Sequence, residues 1–134
     1  MILILDTSAE NVFIGSWNED KSEWITKEEF LGGRKLNSMI IHKLDLVLGD
    51  SWDKVTGIII AAGPGSYTGL RIGMSVANTL AYTQNIPIVA PIKTENYKEL
   101  LQKGQHMLES AGSQFQAAVT PHYGAEPHIT KPKH

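Results

Sequence analysis

An α/β domain with a mixed five-stranded sheet, in the element order βββαβαβα, is predicted by three features of this 134-residue chain. Three strand-like runs separated by tight turns open it, between Ile2 and Phe30. Two later apolar runs, Gly57 to Ala62 and Ile86 to Ala90, show no alternation, the pattern of strands covered on both faces. A segment of helical periodicity precedes each of these two runs, which implies right-handed crossovers between parallel strands.

The first three strands are expected at Ile2 to Asp6, Asn11 to Asn18 and Glu23 to Phe30. Their connections, Ser8-Ala-Glu-Asn and Asn18-Glu-Asp-Lys, are short enough to make neighbours antiparallel. After Gly32-Gly33 a helix is expected from Arg34 to Leu48, stopped by Gly49. Leu36, Ile40, Leu44, Val47 and Leu48 form one face, and Met39, Ile41 and Leu46 widen it to about 200° where about 100° suffices for packing on a sheet. Either a second contact surface or a helix wedged deep in its own core accounts for the surplus. A second helix, from about Thr68 to Thr83, repeats small residues at Gly69, Gly73, Ala77 and Ala81, a spacing that admits a second backbone closely. Glycine within a helix costs about 1 kcal/mol against alanine, so Gly73 needs an offset, from tight packing on the sheet or from a helix–helix interface. A third helix is expected from about Asn96, with Tyr97, Leu101, Gly104, Leu108, Ala111, Phe115 and Ala118 stepping by fours and threes, and with Gly104 and Gly112 as weak points. That seam suits a homodimer through Tyr97, Leu101, Leu108 and Phe115, or a cover for the sheet. From Pro121 the chain reads as an extended or disordered tail. The expected organisation is a lobe over 1–95, a C-terminal helix within 96–120 and a tail over 121–134.

Composition narrows the function classes. A net charge of −2 and a pI near 6.2 offer no global attraction for nucleic acid or anionic membrane. Cysteine is absent, which excludes disulfide frameworks and thiolate metal sites and fits a reducing compartment. Met1 to Leu5 lacks a basic flank and meets Asp6 at once, so it is a strand and not a signal segment. No apolar run approaches the roughly 20 residues of a membrane span, and a cytoplasmic protein is expected.

The run Gly63-Pro-Gly-Ser-Tyr-Thr-Gly69 joins an apolar strand to a helix, where bare backbone N–H groups bind anions or seat a partner. It is no P-loop, because Leu70-Arg71 stands where lysine and a hydroxyl residue are required. It fits a dinucleotide fingerprint poorly: Thr68 occupies the third glycine position and the first downstream acid is Glu95. An anion or docking loop remains, with Ser66, Tyr67 and Thr68 as hydroxyl groups and caps and Arg71 as a cation one turn in, beside the plainer reading of a capped turn. Asp6-Thr7-Ser8, at the end of the first strand, adds a carboxylate and hydroxyls suited to a magnesium-bound phosphate, although the same residues are ordinary turn formers. Asp6, Thr7, Ser8, Gly63, Gly65, Ser66, Tyr67, Thr68 and Gly69 are therefore the candidate anion or nucleotide site. His42, His106, His122, His128 and His134 form no paired metal-ligand motif such as HxxxH.

With both elements in view, the chain resembles the TsaB (YeaZ) family, the accessory subunit of the bacterial machinery that makes threonylcarbamoyladenosine in tRNA. The resemblance rests on ILILDTSAENVFIGSW and on the more specific IIIAAGPGSYTGLRIGMSVANTLAYTQNIPIVAP, covering about Met1 to Ile92. It implies a lobe of the ribonuclease H-like, actin-like ATPase superfamily and a TsaD-like transferase as partner. It also implies a TsaE-like helper ATPase, tRNA met only indirectly, and self-association of the free subunit. The first two helices supply the family's contact surface, which maps here onto Leu36, Met39, Ile40, Lys43, Leu46, Val47, Arg71, Gly73, Met74, Ala77, Asn78 and Ala81. Two departures stand out. Family members carry a second domain of about a hundred residues, whereas fewer than 45 residues follow Pro91 here, and HYGAEPHITKPKH resembles the family's closing segment, so an internal loss is expected. The first helix opens with Arg34-Lys35-Leu36-Asn37 where the family often shows Glu-His. One lobe supplies half of a nucleotide cleft, so a non-catalytic docking subunit is expected, needing no cofactor beyond weakly held ATP or ADP with magnesium. The alternative is a small nucleotide-binding ATPase or phosphotransfer enzyme using Asp6, Thr7, Ser66 and Thr68.

Overall fold

In a computed structural model, residues 1–122 are described. The strands are β1 (Ile2–Asp6), β2 (Asn11–Asn18), β3 (Glu23–Leu31), β4 (Gly57–Ile60) and β5 (Ile88–Val89), and the helices are α1 (Leu36–Leu48), α2 (Tyr67–Gln84) and α3 (Tyr97–Glu109). Short 3-10 turns cover Gly33–Lys35 and Trp52–Lys54. The sheet order is β3-β2-β1-β4-β5. β1 pairs antiparallel with β2 and parallel with β4, and β4 pairs parallel with β5. The expected element order and mixed five-stranded sheet are both present.

Side-chain alternation along the central strands divides the interior into two layers. Leu3, Leu5, Ile58 and Ile60 face α1 and α2, with Leu36, Ile40, Leu44, Met74 and Ala77 across from them. Ile2, Ile4, Phe13 and Ile59 face α3, where Leu100 and Leu101 meet them. β1 and β4 are buried at every residue, which is why neither shows a polar alternation in sequence. β3 and β5 are the edge strands; β3 has most of its residues partly or fully exposed and a register shift opposite Ser16 and Trp17.

The third helix is shorter than its periodicity predicts. It ends at Glu109 with Ser110 as C-cap, and Gly112 follows at a positive φ of 76°. Ala111, Phe115 and Ala118 thus lie beyond the helix, and Phe115 packs at the other core cluster, against the layer of α1 and α2. Gly104 is buried against Ile59, where a Cβ would overlap the isoleucine side chain, so this glycine brings α3 onto the sheet. Tyr97, Leu101 and Leu108 belong to the cluster under α3, so the seam that suited a homodimer covers the chain's own sheet. The expected tail over 121–134 lies, from Tyr123 onward, outside the described residues.

Gly73 is buried directly over Thr7, and an added Cβ would fall within contact distance of Thr7 Oγ1. Close packing of α2 on the end of β1 therefore offsets the helix-interior cost of this glycine. Gly73→Ala is expected to destabilise the protein despite the better helix propensity of alanine, because overpacking costs about 1–3 kcal/mol, lowering Tm by roughly 5–10 °C. Thr7 Oγ1 has no hydrogen-bond partner among the described residues, so Thr7→Ala removes the obstructing atoms without breaking a bond and should restore much of that loss in the double variant. Simple addition of the two costs in thermal melts would refute the contact.

Candidate functional site

The two constellations that stand apart in sequence are in direct contact. The Asp6-Thr7-Ser8 turn ends β1, and the glycine loop leading into α2 is laid on top of it. A Cβ on Gly65 would strike the Ser8 carbonyl, one on Gly69 the Thr7 carbonyl, and one on Gly73 the Thr7 hydroxyl. Glycine at these positions is thus a requirement of backbone approach. Gly63 adds a conformational requirement, with φ at 104°.

Hydrogen bonds complete this seam. Ser66 N–H donates to the Ser8 carbonyl at 2.7 Å, while Ser66 Oγ accepts from Gly69 N–H at 3.2 Å as the N-cap of α2. Asp6 Oδ1 accepts from both the backbone N–H and the hydroxyl of Ser8. Asp6, Thr7 and Ser8 are 5%, 0% and 3% exposed, so a phosphate reaching them would have to displace the loop. Pro64 through Thr68 are exposed on the outer side, with Arg71 stacked 5.4 Å from the Tyr67 ring. The arrangement is a docked turn that positions a helix. No three of its His, Asp or Glu residues, nor any others among the described residues, lie close enough together to hold a metal ion.

Tyr97, at the start of α3, closes the opposite face of the same strand end. Its ring stacks on Phe13 with centroids 3.8 Å apart and 12° between planes. Burial, then the charges of Asp6 and Glu29 and a hydrogen bond to Glu29, push the phenol up to about 12. The sequence assigned Tyr97 only to a seam; its place beside Asp6 follows from Phe13 and Glu29 being register partners across β2 and β3.

The mapped contact residues separate into buried and accessible sets. Leu36, Ile40, Val47, Gly73, Met74, Ala77 and Ala81 are buried in the chain's own interior, because the apolar face of each helix is used by the sheet beneath, although Met74 also reaches a groove beside α2. Met39 is half-buried on the core, and Lys43 is held by Glu28 at 2.9 Å and lies over the Phe30 ring. Asn78 bonds the backbone of Val119. Leu46, 52% exposed, and Arg71 remain on the outside, joined by Ile41 at 57%. Between the start of α1, α2 and the C-terminal segment runs this open groove of about 540 Å³, lined by Asn37, Thr68, Arg71, Ile72, Met74, Ser75, Val76 and Pro121. Ile41 follows Asn37 by one helical turn, so an accessible apolar side chain stands on the same flank of α1 as the groove wall.

A family model described as TsaD, tRNA N6-adenosine threonylcarbamoyltransferase, matches residues 36–123. The chain is 31% identical over 129 residues to the tRNA threonylcarbamoyladenosine biosynthesis protein TsaB of Bacillus subtilis, an alignment covering 92% of this chain and 50% of that protein. The protein of the same description from Escherichia coli is 29% identical over 91 residues, covering 66% of this chain and 38% of that protein. The chain thus spans about half or less of the length of these relatives. Among solved structures, YeaZ from Pseudomonas aeruginosa superimposes with a TM-score of 0.65 at 22% identity, over 78% of this chain and 49% of that one, which agrees with the expected fold. No helix among the described residues is long and apolar enough to cross a membrane.

Since the phenol of Tyr97 is held neutral in the folded state above the ordinary value of 10, its contribution to stability is complete below pH 10 and is lost as pH rises from 10 toward 12. Chemical denaturation should show this alkaline loss for the wild type and a smaller one for Tyr97→Phe. Identical pH dependence of the two proteins would contradict the assignment.

Proposed function

The chain belongs to the TsaB (YeaZ) family, and on that footing we propose that it is a non-catalytic docking subunit in threonylcarbamoyladenosine formation in tRNA, binding a TsaD-like transferase through the outer face of α1 and α2. The observation that supports this most is the groove between those helices, with exposed Ile41 beside it and exposed Leu46 on the far flank of α1. Ile41 and Leu46 are five residues apart and hence about 140° apart around the helix, so they bracket the solvent-facing arc that a partner would cover. An accessible apolar pair astride a polar arc is the composition of a recognition surface and contributes nothing to this chain's own core.

The seam between the glycine loop and the β1 turn supports the non-catalytic half of the proposal. Ser66 N–H and hydroxyl are engaged with Ser8 and Gly69, and Asp6 is engaged with Ser8, so several of the groups that a phosphate would recruit already have partners. Self-association of the free subunit through the same face, a TsaE-like ATPase in the larger assembly, contact with tRNA through the transferase alone, and a cytoplasmic setting belong to this reading. The competing reading, a nucleotide-binding enzyme built on Asp6, Thr7, Ser66 and Thr68, has the loop's exposed outer side and the unpartnered Thr7 hydroxyl in its favour.

Titration of the purified chain with a TsaD-like protein from the same cell should show saturable binding by calorimetry. Ile41→Asp and Leu46→Asp are each expected to weaken it at least tenfold, a loss of about 1.4 kcal/mol, with Tm nearly unchanged because both side chains are on the surface. Full-strength binding by the double variant would remove this face from the interface. Titration with ATP and magnesium is expected to give no heat at millimolar ligand, and a saturable signal there would favour the enzyme reading instead.

A further inference from the structure

Beyond α3 the chain turns at Gly112 and runs back along α2 in an extended form, from the C-terminal to the N-terminal end of that helix. Phe115 N–H donates to Asn85 Oδ1 at 3.2 Å, beside the αL C-cap of α2. Two helical turns back, the Asn78 carboxamide makes a donated and an accepted bond to a single residue: its Nδ2 donates to the Val119 carbonyl and its Oδ1 accepts from Val119 N–H, each at 2.9 Å. At the N-terminal end, His122 N–H donates to the Ala62 carbonyl at 2.7 Å. Seven extended steps from Phe115 to His122 cover about 23 Å, close to the roughly 27 Å of helix between Asn85 and Tyr67, so the spans match.

Two apolar side chains of this segment, Phe115 and Val119, are half-buried against the main core cluster, with Phe115 edge-on to Tyr82 at 5.6 Å and 87°. Gln116, Ala117, Ala118 and Thr120 are exposed. The recognition pattern is that of a strand-capturing surface: backbone bonds supply affinity for any extended chain, and two apolar positions four residues apart supply selectivity.

We propose that the flank of α2 formed by Asn78, Tyr82 and Asn85 is a receptor for an extended peptide segment, and that residues 115–122 of the same chain are its occupant in cis. The site adjoins the α1 and α2 groove proposed for docking, since Pro121 of the occupant lines that groove, but its three side chains stand outside the groove's lining. Because the strap is tethered, its effective concentration at the groove is in the millimolar range, and it excludes a free peptide of the same sequence.

The test uses the full chain and a fluorescently labelled peptide with the sequence of residues 111–122. Phe115→Ala combined with Val119→Ala should loosen the strap while leaving the groove intact, and this variant is expected to bind the labelled peptide at least tenfold more tightly than the wild type does. Adding Asn78→Ala should reduce that binding at least tenfold. Equal binding by the double and triple variants, or no binding by a folded double variant, would overturn the receptor. If the double variant does not fold, hydrogen exchange of the wild type decides: the amides of Phe115, Val119 and His122 should exchange at least tenfold more slowly than those of Gln116 and Ala118, and equal rates would overturn it. Exchange repeated at dilutions where light scattering shows a monomer identifies the donor of the strap: protection retained in the monomer supports occupancy in cis, and protection lost with the dimer overturns it.

Discussion

The contact between the Thr7-Ser8 turn and the glycines of the next βα unit places α2, and most other features depend on where α2 lies. With Gly65, Gly69 and Gly73 all facing the end of β1, the helix axis comes close enough that Thr7 is completely enclosed. Met74, Ala77 and Ala81 then reach the sheet, and the opposite flank of the helix is presented to the C-terminal segment. A helix one methyl group farther out would lose van der Waals contact along its whole buried face, since interiors tolerate few gaps of that size.

The same contact bears on chemistry. A glycine loop before a helix can direct its N–H groups outward to an anion or inward to its own protein. Here Ser66 N–H turns inward to the Ser8 carbonyl, and the Ser66 hydroxyl caps the helix. Asp6 is satisfied by Ser8 within the turn, and Tyr97 covers the other side of the strand end, its phenol held neutral by burial and by Asp6 and Glu29. These groups form a buried junction between the layers of the fold.

Much of this was legible in the residues. The continuous apolar runs at Gly57 to Ala62 and Ile86 to Ala90 read as strands covered on both faces, and the alternation of Val12 and Ile14 with Phe13 and Gly15 already assigns the two layers. The repeat of Gly69, Gly73, Ala77 and Ala81 announced a close backbone approach, but repeats of small residues do not say what approaches, and the partner proved to be Thr7 and the sheet. The third helix was overextended because its steps of four and three continue past Glu109 to Phe115 and Ala118. That continuation arises from apolar residues that the folded chain uses in an extended strap, where every fourth residue also returns to one side.

What the sequence determined by itself is the set of elements and the layer to which each side chain belongs, because periodicity and turn residues are local properties that burial then selects. It also determined the family, through residue runs too specific to arise from packing alone. Tertiary structure decided which apolar surfaces remained free. Ile40 and Ile41 are chemically identical neighbours on α1, yet one is sealed in the core and the other stands open beside the groove, since a rotation of 100° about the helix axis separates them and only the position of the sheet tells which side is inside. For the same reason Asn78, a polar residue on a flank that no local pattern marks, became the clamp that holds Val119.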